Sequence, residues 1–182
     1  KLTRAHLKTL AQGVYGELKF IEACLIANQS EIIQAWQSSH STTLIDFNIK
    51  NKLLLEVKTT SSRNVKYMSL AQLMPRIEYD EYHTALITIK EGGEKESLLD
   101  VYNKIESRLS DDNKILFENR LIIASKYTFK SIKDFRFEME QCKCFSMENY
   151  KNMNLHDSFL ADKISLNTDL ITILPFSYLV ER

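Results

Sequence analysis

Residues 44–58 read LIDFNIKNKLLLEVK. Lys50-Asn51-Lys52 suits a turn, and apolar residues alternate on both sides of it. A hairpin centred on Asn51 sets Ile49 opposite Leu53, Phe47 opposite Leu55 and Ile45 opposite Val57. Directly opposed side chains point the same way, so these six residues share one face and pack into a core. A slip of one residue would turn the whole set to the other face, so the register is strongly specified. The same alternation sets Asp46 opposite Glu56, with Lys58 two residues beyond.

Two opposed carboxylates repel, which costs stability. Lys58 can relieve them as a cross-strand ion pair on an exposed face. A divalent cation with hard oxygen ligands can do the same. Asp46, Glu56, the intervening Val57 carbonyl and waters would suit Mg²⁺, and Lys58 would then stand beside an attacking water. On the hairpin alone both readings stay open.

The segment before the hairpin weighs on the choice. Residues 4–28 read as a helix with Thr3 as N-cap, because Leu7, Leu10, Val14, Ile21, Cys24 and Leu25 form one stripe. Glu17 lies within that stripe, and a carboxylate there is costly unless paired or coordinated. Gly13 and Gly16 each weaken the helix by up to about 1 kcal/mol relative to Ala, a cost that often marks close approach of another element.

The remaining elements follow from periodicity and turn residues. IIQAW (32–36) reads as a short strand, and NVKYMSL (64–70) as another, leading into a helical turn ended by Pro75. HTALITIK (83–90) is a strand followed by a Gly-Gly turn. ESLLDVYNKIESRLS and NKILFENRLIIAS read as two helices joined near Asp111 and Asp112. SIKDFRFEMEQCKCFSM alternates in part, as a strand does, and LITILPFSYL reads as a closing strand limited by Pro175. This order predicts an α/β domain with a mixed sheet, single over residues 1–182. The chain begins at Lys1 rather than Met, which leaves room for a missing N-terminal portion.

The 182 residues carry 24 Lys plus Arg and 24 Asp plus Glu, so net charge gives no global sign of a nucleic-acid partner. Its distribution is uneven. Residues 50–76 hold Lys50, Lys52, Lys58, Arg63, Lys66 and Arg76 against Glu56 alone, a candidate phosphate-contact face beside the hairpin. No apolar run approaches the length of a membrane-spanning helix. Cys24, Cys142 and Cys144 lack metal-type spacing and read as free thiols of a reducing cytoplasm. His40 is isolated, while His83 and Trp36 read as structural.

GELKF with Glu17, then Asp46, then Glu56-Val57-Lys58, then Gln72 resembles the PD-(D/E)XK nuclease superfamily, and residues 13–74 are similar to bacterial PD-(D/E)XK motif proteins associated with restriction and phage defence. The resemblance implies a restriction-endonuclease-like mixed β-sheet core flanked by helices. It implies Asp46 and Glu56 as metal ligands, Lys58 as the catalytic lysine serving the water, and Glu17 as a supporting acid. It places Gln72 near the site or the DNA backbone. Ile45 stands where the superfamily often has Pro. Thr59, Ser61, Arg63 and Lys66, close behind Lys58, suit phosphate contacts. The expected activity is Mg²⁺-dependent endonucleolytic hydrolysis of double-stranded DNA, with Mn²⁺ able to substitute, acting in restriction or anti-phage defence. Expected partners are DNA and either a second copy or a defence-system subunit, with no membrane. The rival readings are a DNA-binding or assembly module that keeps the fold without cutting, and a nuclease for branched DNA or RNA.

Overall fold

A computed structural model describes residues 2–37, 45–50, 53–61, 67–69, 81–146 and 163–165. Helix α1 spans Arg4–Ile26, and the Thr3 hydroxyl caps it by accepting from the His6 N–H at 3.3 Å. Of the expected stripe, Val14, Ile21, Cys24 and Leu25 are buried and Leu7 and Leu10 half-buried, and Leu18 joins them inside. Asn28, in the left-handed region at φ 61°, follows the end of α1.

Residues 32–36 do not form the expected strand. Ile32–Ala35 is one helical turn, α2, and Trp36 makes a single antiparallel bridge to Phe47. A five-residue segment with four apolar residues fits either structure by pattern alone. Packing decides it here: α2 buries Ile32, Ile33 and Ala35, and Trp36 meets the Phe117 ring at 5.9 Å.

The hairpin forms in the expected register. Strand β1 (Phe47–Ile49) pairs antiparallel with β2 (Leu53–Thr60), with Phe47 against Leu55 and Ile49 against Leu53. Strand β3 (Tyr67–Ser69) lies outside this sheet and pairs with β6 (Lys163–Ser165). β2 instead pairs in parallel with β4 (Glu81–Ser97), which pairs antiparallel with β5 (Arg136–Ser146). Among the described residues the main sheet therefore runs β1-β2-β4-β5 and is mixed.

The Gly92-Gly93 pair does not end β4. The strand continues to Ser97, and the pair falls within a register shift between Glu91 and Glu96, both of which oppose Phe137. Extra residues on one strand are left out of the ladder there as a bulge. Ser97 then caps helix α3 (Leu98–Glu106) in a reciprocal box with Asp100. Helix α4 (Asp111–Ala124) and the short α5 (Phe129–Ile132) follow. Asp111 and Asp112 sit in the first turn of α4 rather than in the joint, where carboxylates complement the helix dipole. The closing strand expected over 170–179 and the helical turn before Pro75 lie outside the described residues.

β2 is buried along almost all its length, on both faces, as a strand with a parallel neighbour commonly is. One face presents Leu53, Leu55 and Val57, joined by Ala85, Ile87 and Ile89 of β4 and covered by α1. The other presents Leu54 and Leu86, buried yet outside that main cluster, together with Glu56 and Lys58. α3 and α5 also pack on α1, and α4 packs on α2. This is the mixed α/β sheet flanked by helices that a restriction-endonuclease-like core requires. None of the described helices is long and apolar enough to cross a membrane.

Candidate active site

The site begins just before the first residue of β1. The ladder stops at Phe47, and the preceding Asp46 lies in a bend whose carbonyl accepts from the Gln37 N–H at 2.7 Å. The segment after α2 thus holds the backbone of Asp46. Its side chain turns to the neighbouring strand, where Asp46 Oδ2 accepts from the Val57 N–H at 2.7 Å. A carboxylate has taken the place of the missing strand residue as acceptor. The N–H and C=O of one strand residue point to the same edge, so the Val57 carbonyl also faces the β1 side.

Glu56 and Lys58 follow from alternation on β2. Glu56 is only 3% exposed, and its carboxylate is ion-paired with the Lys58 ammonium on the same face. A carboxylate buried this deeply requires such a partner.

Glu17 enters from α1. Gly16, one residue earlier, is pressed against β2: a methyl group in its place would lie 1.9 Å from Thr59 Oγ1 and 3.4 Å from Val57 Cγ1. The absent side chain lets α1 approach the strand that carries Glu56 and Lys58. Gly13 has no such neighbour, because a methyl group added there would meet nothing within 4 Å, so the close-approach argument holds at one glycine of the two. Glu17 Oε2 accepts from Trp36 Nε1 at 2.7 Å.

These groups share one electrostatic environment. Burial raises the Glu17 carboxyl well above the ordinary range, and the negative charge of Asp46 raises it further; the Trp36 hydrogen bond opposes both. Asp46 is pushed up to about 6 by burial, against the Val57 N–H and the Lys58 charge. Raised carboxyl groups beside a lysine are a recurrent mark of functional sites, and a cation is one means of relieving them. Among the described residues no three His, Cys, Asp or Glu side chains stand together at metal-ligating spacing. Two carboxylates and a carbonyl are nevertheless within the number of protein ligands that Mg²⁺ takes.

The other sequence candidates divide. Thr59 is buried, with its hydroxyl against Gly16 at the α1–β2 contact. Ser61 is exposed just past the end of β2. Arg63, Lys66 and Gln72 lie outside the described residues, as does His40. His83 is buried, 2.8 Å from Glu81 Oε2, in keeping with a structural role. Cys24, Cys142 and Cys144 are free thiols. The sequence reading assigned Trp36 to the core and missed its hydrogen bond to Glu17. No local signal marks that contact, because it joins residues from separate elements.

A family model described as "Putative PD-(D/E)XK family member, (DUF4420)" matches residues 3–155. No curated protein and no solved structure matches the chain. The match spans α1, the hairpin, the main sheet and α3 to α5. The chain belongs to this family of PD-(D/E)XK-type proteins.

Proposed function

From this membership, we propose that the protein is a divalent-metal-dependent endonuclease that hydrolyses phosphodiester bonds of DNA, with Mg²⁺ as the working cation. The observation that carries the reading is the junction of β1 and β2. Asp46 is anchored on the Val57 N–H, and Glu56 and Lys58 flank that same residue. In this reading Asp46, Glu56 and the Val57 carbonyl hold the cation. A bound divalent cation supplies charge neutralisation at the scissile phosphate and favours a deprotonated nucleophile. Lys58 orients the attacking water and counters charge building on the phosphorus oxygens. Glu17 keeps Trp36 and Asp46 in position from the helix side. Ser61 donates to a phosphate near the exit of β2. Duplex DNA and a role in restriction or anti-phage defence complete the proposal.

The test is nicking of supercoiled plasmid in Mg²⁺ or Mn²⁺, with methylated and unmethylated DNA. Asp46→Ala and Lys58→Ala should each abolish cleavage while retaining the native circular dichroism spectrum. Unchanged nicking in either variant refutes the assignment. A second reading, a module that binds DNA without cutting, draws on the pairing of Lys58 with Glu56 and on the lack of a three-carboxylate cluster among the described residues. It predicts DNA binding with no metal-dependent cleavage by the wild-type chain.

A further inference from the structure

A cleft of about 540 Å³ opens beside the site. Its walls include His6, Thr9, Gly13 and Glu17 along one side of α1, and Ala124 and Lys126 at the end of α4. Glu17 is thus shared by the cleft and the candidate active site. Among the described residues of this lining, Lys126 faces Glu17 as the one lysine or arginine, the other polar walls being His6 and Thr9.

The turn that ends α4 is unusual in two respects. Lys126 and Tyr127 are both left-handed, at φ 50° and 61°. Tyr127 N–H donates to the Ile122 carbonyl at 2.7 Å, and Lys126 N–H to the Ile123 carbonyl at 2.8 Å. These are the paired bonds of a Schellman motif, whose first left-handed position normally carries Gly and whose second normally packs an apolar side chain back on the helix. Here Lys occupies the first. Tyr127 occupies the second and is 79% exposed, turned away from the helix it closes. The Thr128 hydroxyl ties the turn down by donating to the Ser125 carbonyl at 2.6 Å. A strained, firmly bonded turn therefore holds a lysine in the wall of the cleft and, next to it in the chain, an exposed ring.

Cations beside an exposed aromatic ring are the combination that grips single-stranded nucleic acid, the charge on the backbone and the ring on a base. Resting on the nuclease reading of the adjacent site, we propose that the Lys126–Tyr127 turn is a nucleic-acid contact, with Lys126 on a backbone phosphate and Tyr127 stacked on an unpaired base. The favoured substrate then carries an unpaired nucleotide beside the cut: a tail, flap or branch rather than a continuous duplex.

The test is a fluorescence-anisotropy titration using the Lys58→Ala chain, so that cleavage does not intervene. The probes are a labelled blunt duplex and the same duplex with a single-stranded tail. Tyr127→Ala should weaken binding of the tailed probe by roughly five- to a hundredfold and leave the blunt probe nearly unchanged, whereas Tyr127→Phe keeps the ring and the affinity. Lys126→Gly relieves the left-handed strain, so it should melt no lower than the parent. It should nevertheless bind more weakly and reduce the salt slope by about 0.7–0.9, the value of one phosphate contact. Parent-like affinity for the tailed probe in both Tyr127→Ala and Lys126→Gly overturns the proposal, as does a parent that binds neither probe. Inert plasmid assays with these binding losses intact would instead remove the nuclease reading and leave this contact standing.

Discussion

Gly16→Ala tests the contact that brings α1 to β2. The added methyl would lie 1.9 Å from Thr59 Oγ1, 3.2 Å from Thr59 Cβ and 3.4 Å from Val57 Cγ1. Rotating the Thr59 hydroxyl relieves the first overlap but leaves the other two tight. Thr59 is itself buried, so the helix and strand must also separate slightly. Overpacking of this kind costs about 1–3 kcal/mol, and the severity of the overlap places Gly16→Ala near the upper end. Ala gains up to about 1 kcal/mol over Gly in a helix, so the net loss is about 2 kcal/mol. Gly13→Ala is the control. It lies on the same helix in open space, so it should gain up to about 1 kcal/mol. With a urea slope of about 2 kcal/mol/M, the two variants should differ by about 1.5 M in midpoint. Thr59→Ala removes the nearest atom and should recover part of the loss in the double variant, a non-additivity expected of touching residues. Separation of α1 from β2 also moves Glu17 away from Asp46, so nicking activity should fall more than stability alone accounts for. Equal midpoints for Gly16→Ala and Gly13→Ala would refute the close-approach argument and the placement of Glu17 that depends on it.

Three further outcomes follow from the site and its supports. Mg²⁺ or Mn²⁺ at ten times its Kd should raise Tm by about 3–6 °C, the equivalent of about 1.4 kcal/mol, in a thermal-shift assay. That shift should shrink as pH falls below about 6, where Asp46 takes up a proton and competes with the cation; a shift independent of pH, or one retained in full by Asp46→Ala, contradicts the assignment. Trp36→Phe deletes the hydrogen bond to Glu17 and should cost about 1–3 kcal/mol in urea unfolding, much less when Glu17→Ala has already removed the acceptor. Glu96 is raised by burial but lowered more by hydrogen bonds from Lys104 and Lys19, so its folded pKa lies below its unfolded value of about 4.3. Its contribution is complete above that pH and is lost as pH falls through the folded pKa; Glu96→Gln should flatten the acid limb of the stability curve, and an unaltered limb would rule this out.

The site was legible in the sequence to the extent that it depends on short-range periodicity. Alternation about Asn51 specified which residues of β1 oppose which of β2, and hence that Asp46 stands beside the Glu56–Lys58 face. The helical stripe over α1 specified that Glu17 points inward. Both conclusions need only the spacing of apolar side chains over a few turns or a few residues of strand. The short segment at 32–36 was misread because five residues, four of them apolar, are too few to show a period. The second buried face of β2 was missed because it depends on a parallel neighbour supplied by β4, roughly thirty residues along the chain.

By itself the sequence determined local geometry: a hairpin of one register and a helix with one acidic residue in its apolar stripe. The tertiary structure alone decided what those pieces do together. It set α1 against β2 through Gly16, turned Asp46 onto the Val57 N–H just before β1 starts, and gave Glu17 a Trp36 partner from beyond its own helix. It also exposed Tyr127 next to Lys126 of the cleft wall, on a turn that has no glycine to announce it. The physical reason is one of range. Backbone periodicity and turn chemistry act within a few residues. Burial, repulsion between carboxylates and the contact of one element with another arise only when distant parts of the chain share the same space.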